Sequence, residues 1–247
     1  MVFGGIDLAA DPRRTGVAQI SNGTPTVVEM LVVGAEDADI AAIIMGSDMS
    51  GIDVPLGWPD AFVALLADHA AHALAPPPST GSDWRRTMAM RTTDVMVHQR
   101  TGRVPLSVST DRIAYPALRW AGIEARLRAE GIDVPRDGSG RICEVYPAAA
   151  LSCWGLPSRG YKRREQSGQR VEIIDRLSYL FPDLDWNGHR NLCIDDDNTL
   201  DAVVSALMAR LVADRQADPP PEAMRDVVSR EGWIWLPQQN NGCSDER

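Results

Sequence analysis

Four acidic side chains stand where a carboxylate is expensive to keep. Asp7 follows Gly4-Gly5-Ile6 in an apolar run, and Asp53 repeats that setting inside GIDVPLGWP. Glu144 is flanked by Cys143 and Val145, while Asp201 opens the apolar face of a helical pattern in DDDNTLDAVVSA. A carboxylate in such surroundings needs a cation or hydrogen bonds to replace its lost hydration. Each alone has an ordinary use: a strand-end aspartate caps a turn, and Asp195, Asp196 and Asp197 favour a helix N-terminus. Four together ask for a shared reason. Carboxylates held close repel one another, and a divalent cation relieves that repulsion. An all-oxygen ligand set with neither Cys nor His points to Mg²⁺ or Mn²⁺ rather than zinc.

Basic residues supply the complementary chemistry. The chain carries 25 Lys and Arg against 34 Asp and Glu, a net charge of −9, and Lys162 is its single lysine. That balance argues against broad affinity for a polyanion, though not against a local basic track. Where arginine serves almost everywhere, a retained lysine suggests a need for a compact ammonium; the arginine-rich composition is the competing explanation. Lys162 lies in RGYKRREQSGQR (159–170), a basic segment that reads equally as a phosphate-binding loop and as solvated surface. Arg91 and Asp94, in RTTD, either pair locally or reach a cleft. Trp58, beside Gly57, either stacks on a base or packs beneath a strand-to-helix turn.

Other chemistries find little support. Cys143, Cys153, Cys193 and Cys243 form no C-x-x-C pair, which argues against structural zinc and a disulfide framework. His69 and His72 sit in an Ala/Leu-rich helical segment with no Cys or Glu ligand close by in sequence. The chain lacks G-x-x-x-x-G-K-[ST], G-x-G-x-x-G and G-x-S-x-G, which weakens P-loop, dinucleotide-binding and serine-hydrolase readings. No apolar run is long enough to span a bilayer and no secretory leader is evident, so the expected location is cytoplasmic.

These acidic residues must be positioned by an α/β framework. Residues 2–8, 15–21 and 25–33 read as a meander of three strands, followed by a helix at 36–46 and a fourth strand at 49–54. A helix begins near Pro59-Asp60, and 76–112 reads as an α-rich insertion with one short helix near 92–101. Then come a helix at 114–130, a fifth strand at 141–146 and helices at 168–180 and 198–214. GWIWLP at 232–237 suggests a final short strand, and the polar residues 238–247 a disordered tail. A meander continued by parallel strands with crossover helices predicts a mixed five-stranded sheet flanked by helices, a ribonuclease H-like topology in one domain over 1–237.

GIDLAA with TGVA, then GIDVPLGWP, RTTD, EVYPAA, GYKR, DDNTLDAVVSALMARL and EGWIWLP resemble a bacterial and archaeal domain-of-unknown-function family of predicted ribonuclease H-like nucleases. The resemblance spans about residues 3–237. It implies two-metal hydrolysis of a phosphodiester, with Asp7 as the bridging ligand and Asp53 and Asp201 completing the two coordination spheres. Glu144 matches the family's E-V-Y-P motif, as a ligand or as the group orienting a bound water. Lys162, Arg91 and Trp58 are the candidate substrate contacts. The expected partner is a nucleic acid or a small phosphate ester, without a membrane; the oligomeric state is not legible. One rival is a non-catalytic protein whose acidic cleft holds a metal or small ligand. Another is a phosphoryl-transfer enzyme of the sugar-kinase and actin-like type, which usually needs two such halves.

Overall fold

Short turns dictate the start of the chain. A computed structural model describes residues 1–238, in which β1 (Val2–Asp7), β2 (Gly16–Ser21) and β3 (Thr26–Val33) pair antiparallel in succession. Connections this short allow only antiparallel neighbours, whereas parallel pairing needs a crossover. The helix α1 (Asp37–Gly46) provides that crossover and returns the chain to β4 (Met49–Asp53), parallel to β1.

Four helices follow: α2 (Asp60–Ala70), α3 (Ser82–Ala89), α4 (Thr92–Thr101) and α5 (Ala114–Ala129). They lead to β5 (Ile142–Val145), parallel to β4. The C-terminal part contributes α6 (Pro147–Cys153), α7 (Ser167–Leu180), β6 (Leu184–Asp185), α8 (Arg190–Asp195), α9 (Asp197–Ala213), α10 (Arg225–Glu231) and β7 (Ile234–Trp235). The finished sheet is mixed, in the order β6-β3-β2-β1-β4-β5-β7.

The sheet therefore has seven strands, not the expected five. The additions are two-residue edge strands: β6 beside β3, which was not expected, and β7 beside β5, the short strand expected within 232–237 but not counted in the sheet. Leu184-Asp185 is too short for alternation to register, and it follows a Pro-Asp pair that reads as a turn. The 76–112 segment holds two helices rather than one. The overlooked α3 buries no side chain, so it has no apolar stripe to betray it. The expectation for 238–247 falls, apart from Gln238, outside the described residues.

Strand alternation sorts the core into two layers. Phe3, Cys143 and Val145 pack with α9, α7 and α6 on one face. Ile6, Ile52 and Ile142 pack with α1 and α5 on the other. The helix α9 is buried along almost its whole length, and the Asp196 side chain caps it by accepting from Asn198 N at 2.8 Å. It crosses β2, β1 and β4 so closely that a Cβ on Gly16, Gly5 or Gly51 would meet its backbone at 2.3, 1.9 or 2.2 Å. The contacted residues Asn198, Ala202 and Ser205 lie on successive turns. Glycines on three adjacent strands thus seat the helix against the sheet. Among the described residues no helix is long and apolar enough to cross a membrane.

Candidate metal centre

The close seat of α9 determines the site. Gly5 and Asp7 leave β1 on the same face, two residues apart, and Gly51 and Asp53 do the same on β4. The strands are in register, with Gly5 opposite Gly51 and Asp7 opposite Asp53. Asp201 precedes Ala202, the residue whose carbonyl rests on Gly5, so it arrives where the two strands end. Carboxylate oxygens of Asp7, Asp53 and Asp201 all lie within 4.8 Å of one another.

Proximity and burial set their protonation. Burial is the largest influence on Asp53 and pushes its carboxyl up to about 7; Lys162 opposes the rise, and the charges of Asp201 and Glu144 add to it. Asp7 lies well above the ordinary carboxylate range for the same first reason, with Lys162 again opposing and Asp201 and Asp53 reinforcing. Hydrogen bonding from the Asp7 side chain works against the rise at Asp53. Two carboxylates sharing one proton is the expected resting state when no stronger cation neutralises them.

Lys162 already supplies part of that neutralisation. Its Nζ lies 2.5 Å from Asp201 Oδ2, while 47% of the side-chain surface remains exposed. Burial of the ammonium works against its charge, but Asp201, followed by Tyr161, Asp7 and Asp53, more than compensates and keeps it protonated. Tyr161 is buried and donates its hydroxyl to Asp201 Oδ1 at 2.8 Å. Arg170 fixes the segment bearing both residues: its guanidinium donates to the carbonyls of Tyr161 at 2.5 Å, Arg163 at 2.9 Å and Ile194 at 2.6 Å. The last of these ties the loop to α8, just ahead of α9.

Glu144, expected as a ligand or as the group orienting a bound water, is not part of the three-carboxylate cluster, although it and Arg91 line the same cleft as Asp53. It leaves β5 with the parity of Ile142, on the face opposite Cys143 and Val145. Arg91 donates to its Oε1 at 2.6 Å and its Oε2 at 2.8 Å, and Leu56 N donates to Oε2 at 3.0 Å. Arg91, expected as a substrate contact, is 1% exposed. Its five guanidinium N–H groups go to Glu144, Asp94 and the Glu231 carbonyl. The pair joins the start of α4 to the end of β5 and to α10, and Gly232, at φ +89°, sits where a Cβ would meet Glu144 Oε2 at 2.7 Å. Trp58 packs against the core beneath the β4–α2 turn.

A cleft of about 540 Å³ opens beside Asp53 and Lys162. Its walls include Arg103, Arg159, Arg163, Tyr146 and the apolar Pro105, Leu106 and Ile113. Sequence reasoning missed Tyr161, Arg170 and Tyr146 as members of this neighbourhood. GYKR and EVYP placed both tyrosines beside named candidates, but only the fold shows which way they turn.

The donor set fits a hard divalent cation. It offers oxygen alone, and Asp201 Oδ2 is buried with no hydrogen bond of good geometry, despite the nearby ammonium. Residues 5–225 match the model of a family described as protein of unknown function (DUF429), and the chain belongs to that family. No curated protein and no solved structure matches the chain.

Proposed function

We propose that this member of the family is a divalent-metal-dependent phosphodiester hydrolase on a ribonuclease H-like core. The observation that carries the reading is the convergence of Asp7, Asp53 and Asp201 from two parallel strand ends and one helix start. The central strand order β3-β2-β1-β4-β5, antiparallel through β1 and parallel beyond it, supports that core. Asp7, Asp53 and Asp201 would hold Mg²⁺ or Mn²⁺, which when bound supplies Lewis acidity toward a phosphoryl oxygen and an attacking water.

The chain's own groups define the rest. Three ionised aspartates against one ammonium leave two negative charges, which a single divalent cation neutralises. The fourth carboxylate that a second cation calls for is engaged by Arg91. Lys162 then stands in the second positive position, with its half-exposed stem free to swing the ammonium toward a phosphate. Tyr161 orients Asp201 through its hydroxyl, and Arg170 holds the loop so that both act from fixed backbone positions. In hydrolysis, water oxygen bonds to phosphorus and the ester P–O bond breaks. The proton lost by water balances the one gained by the departing alkoxide.

The test is turnover of single-stranded, hybrid, branched and small diester substrates with Mn²⁺ or Mg²⁺. Asp7→Asn is expected to abolish cleavage while leaving the far-UV spectrum and unfolding midpoint near wild type. Equal activity in the variant would refute the assignment. Mn²⁺ binding without turnover on any substrate would make the protein a metal-binding module.

A further inference from the structure

The cleft beside the three aspartates points to a substrate class. We infer that it encloses a nucleotide-sized phosphate ester, with the phosphate beside Asp53 and Lys162 and a flat, apolar group against Pro105, Leu106 and Ile113. This rests on the hydrolase reading for its chemistry and on the cavity for its size.

Three observations support it. The first is volume: about 540 Å³ is the scale of a cavity that surrounds one small ligand. The second is that the walls carry both cationic groups and an apolar surface. Lys162, Arg159 and Arg163 line it together with Asp53, and neither arginine side chain has an ion-pair partner among the described residues. Pro105, Leu106 and Ile113 offer an apolar surface, with the Tyr146 ring also lining the cleft. A phosphate alone has no use for that surface. Half of Leu106 is open to solvent, although it lines a cavity that also carries charged groups. The third is the charge of the whole molecule: at −9, it disfavours broad affinity for a long polyanion. A ligand with one phosphate and one base needs only the local cations.

The experiment measures equilibrium binding of the four common nucleoside 5′-monophosphates, as product mimics that cannot turn over, with Mg²⁺ present. Inorganic phosphate, a long single-stranded DNA and a DNA duplex are compared under the same salt. The nucleotides are expected to bind more tightly than inorganic phosphate and than either polymer. Leu106→Asp should weaken nucleotide binding about tenfold by placing a like charge on the apolar surface, and Arg159→Ala should weaken it several-fold. Leu118→Asp, on the exposed side of α5 away from the cleft, is the control and should bind as wild type does. Nucleotides that bind no better than phosphate, or indifference to Leu106→Asp, would overturn the inference. Preferential binding of a polymer, unaffected by Leu106→Asp, would also overturn it while leaving the hydrolase reading intact. Nucleotide binding with the expected variant pattern but no metal-dependent hydrolysis would uphold the cavity assignment and remove the hydrolase reading.

Discussion

Replacing Lys162 by alanine should tighten the binding of a divalent cation. In the metal-free protein the ammonium sits 2.5 Å from Asp201 Oδ2 and within the field of Asp7 and Asp53. An incoming cation must displace or repel it. An ammonium and a divalent cation ~4 Å apart repel by about 8 kcal/mol in an effective dielectric of ~20, twice the value for two unit charges. Because 47% of the lysine side chain is in solvent, screening leaves about 1–2 kcal/mol of that. The affinity for Mn²⁺ should therefore rise roughly five- to thirtyfold in Lys162→Ala, since about 1.4 kcal/mol is tenfold. Lys162→Arg, which keeps the charge, should stay near wild type in metal affinity yet lose turnover several-fold, because a planar guanidinium does not replace a point charge at a phosphate. Equilibrium dialysis with Mn²⁺ reads affinity and stoichiometry together. The expected wild-type stoichiometry is one ion per chain. Two tightly held ions in the wild type, or weaker binding in Lys162→Ala, would refute the reasoning.

Two further outcomes follow from the buried charges. Glu144→Gln removes the anion that Arg91 pairs with while Asp94 remains, so it should cost about 2–4 kcal/mol of stability in urea unfolding with little change in Mn²⁺ affinity. A large loss of Mn²⁺ binding with unchanged stability would instead make Glu144 a ligand. Asp53 titrates at about 7 in the folded protein, above its ordinary value of 3.8. Its contribution to the stability of the metal-free protein is complete below that ordinary value and is lost as pH rises through about 7. A bound cation needs the ionised form, so the Mn²⁺-induced rise in Tm should grow from pH 6 to pH 8; a shift independent of pH would count against Asp53 as a ligand.

The meander, the crossover to β4 and the parallel pairing of β1 with β4 were all legible, because turn lengths and apolar periods dictate them. The repeated Gly-Ile-Asp carries more than it first suggests. Its glycine and aspartate share a face, so the residue that admits the helix backbone also aims the carboxylate at it. Glu144 shows where that reasoning stops. Its strand was found, but the face it uses depends on the parity of β5 against β4, and Ile52 pairs with Glu144 itself. One residue of register separates a carboxylate in the cluster from one behind it. The burial of Arg91 was out of reach for a different reason. Its partners Glu144 and Glu231 lie far along the chain, and local sequence showed only the Asp94 contact. The strand expected at 232–237 is found as β7, whereas β6 owes its existence to its neighbour β3 rather than to its own two residues.

The central claim is that Asp7, Asp53 and Asp201 together hold a catalytic divalent cation. Anomalous diffraction from crystals of the protein grown with Mn²⁺ tests it most directly. The expected result is one strong peak in contact with oxygens of all three aspartates, at about 2.0–2.6 Å, absent in Asp7→Asn. A peak elsewhere on the molecule, or none at a Mn²⁺ concentration that supports turnover, would contradict it.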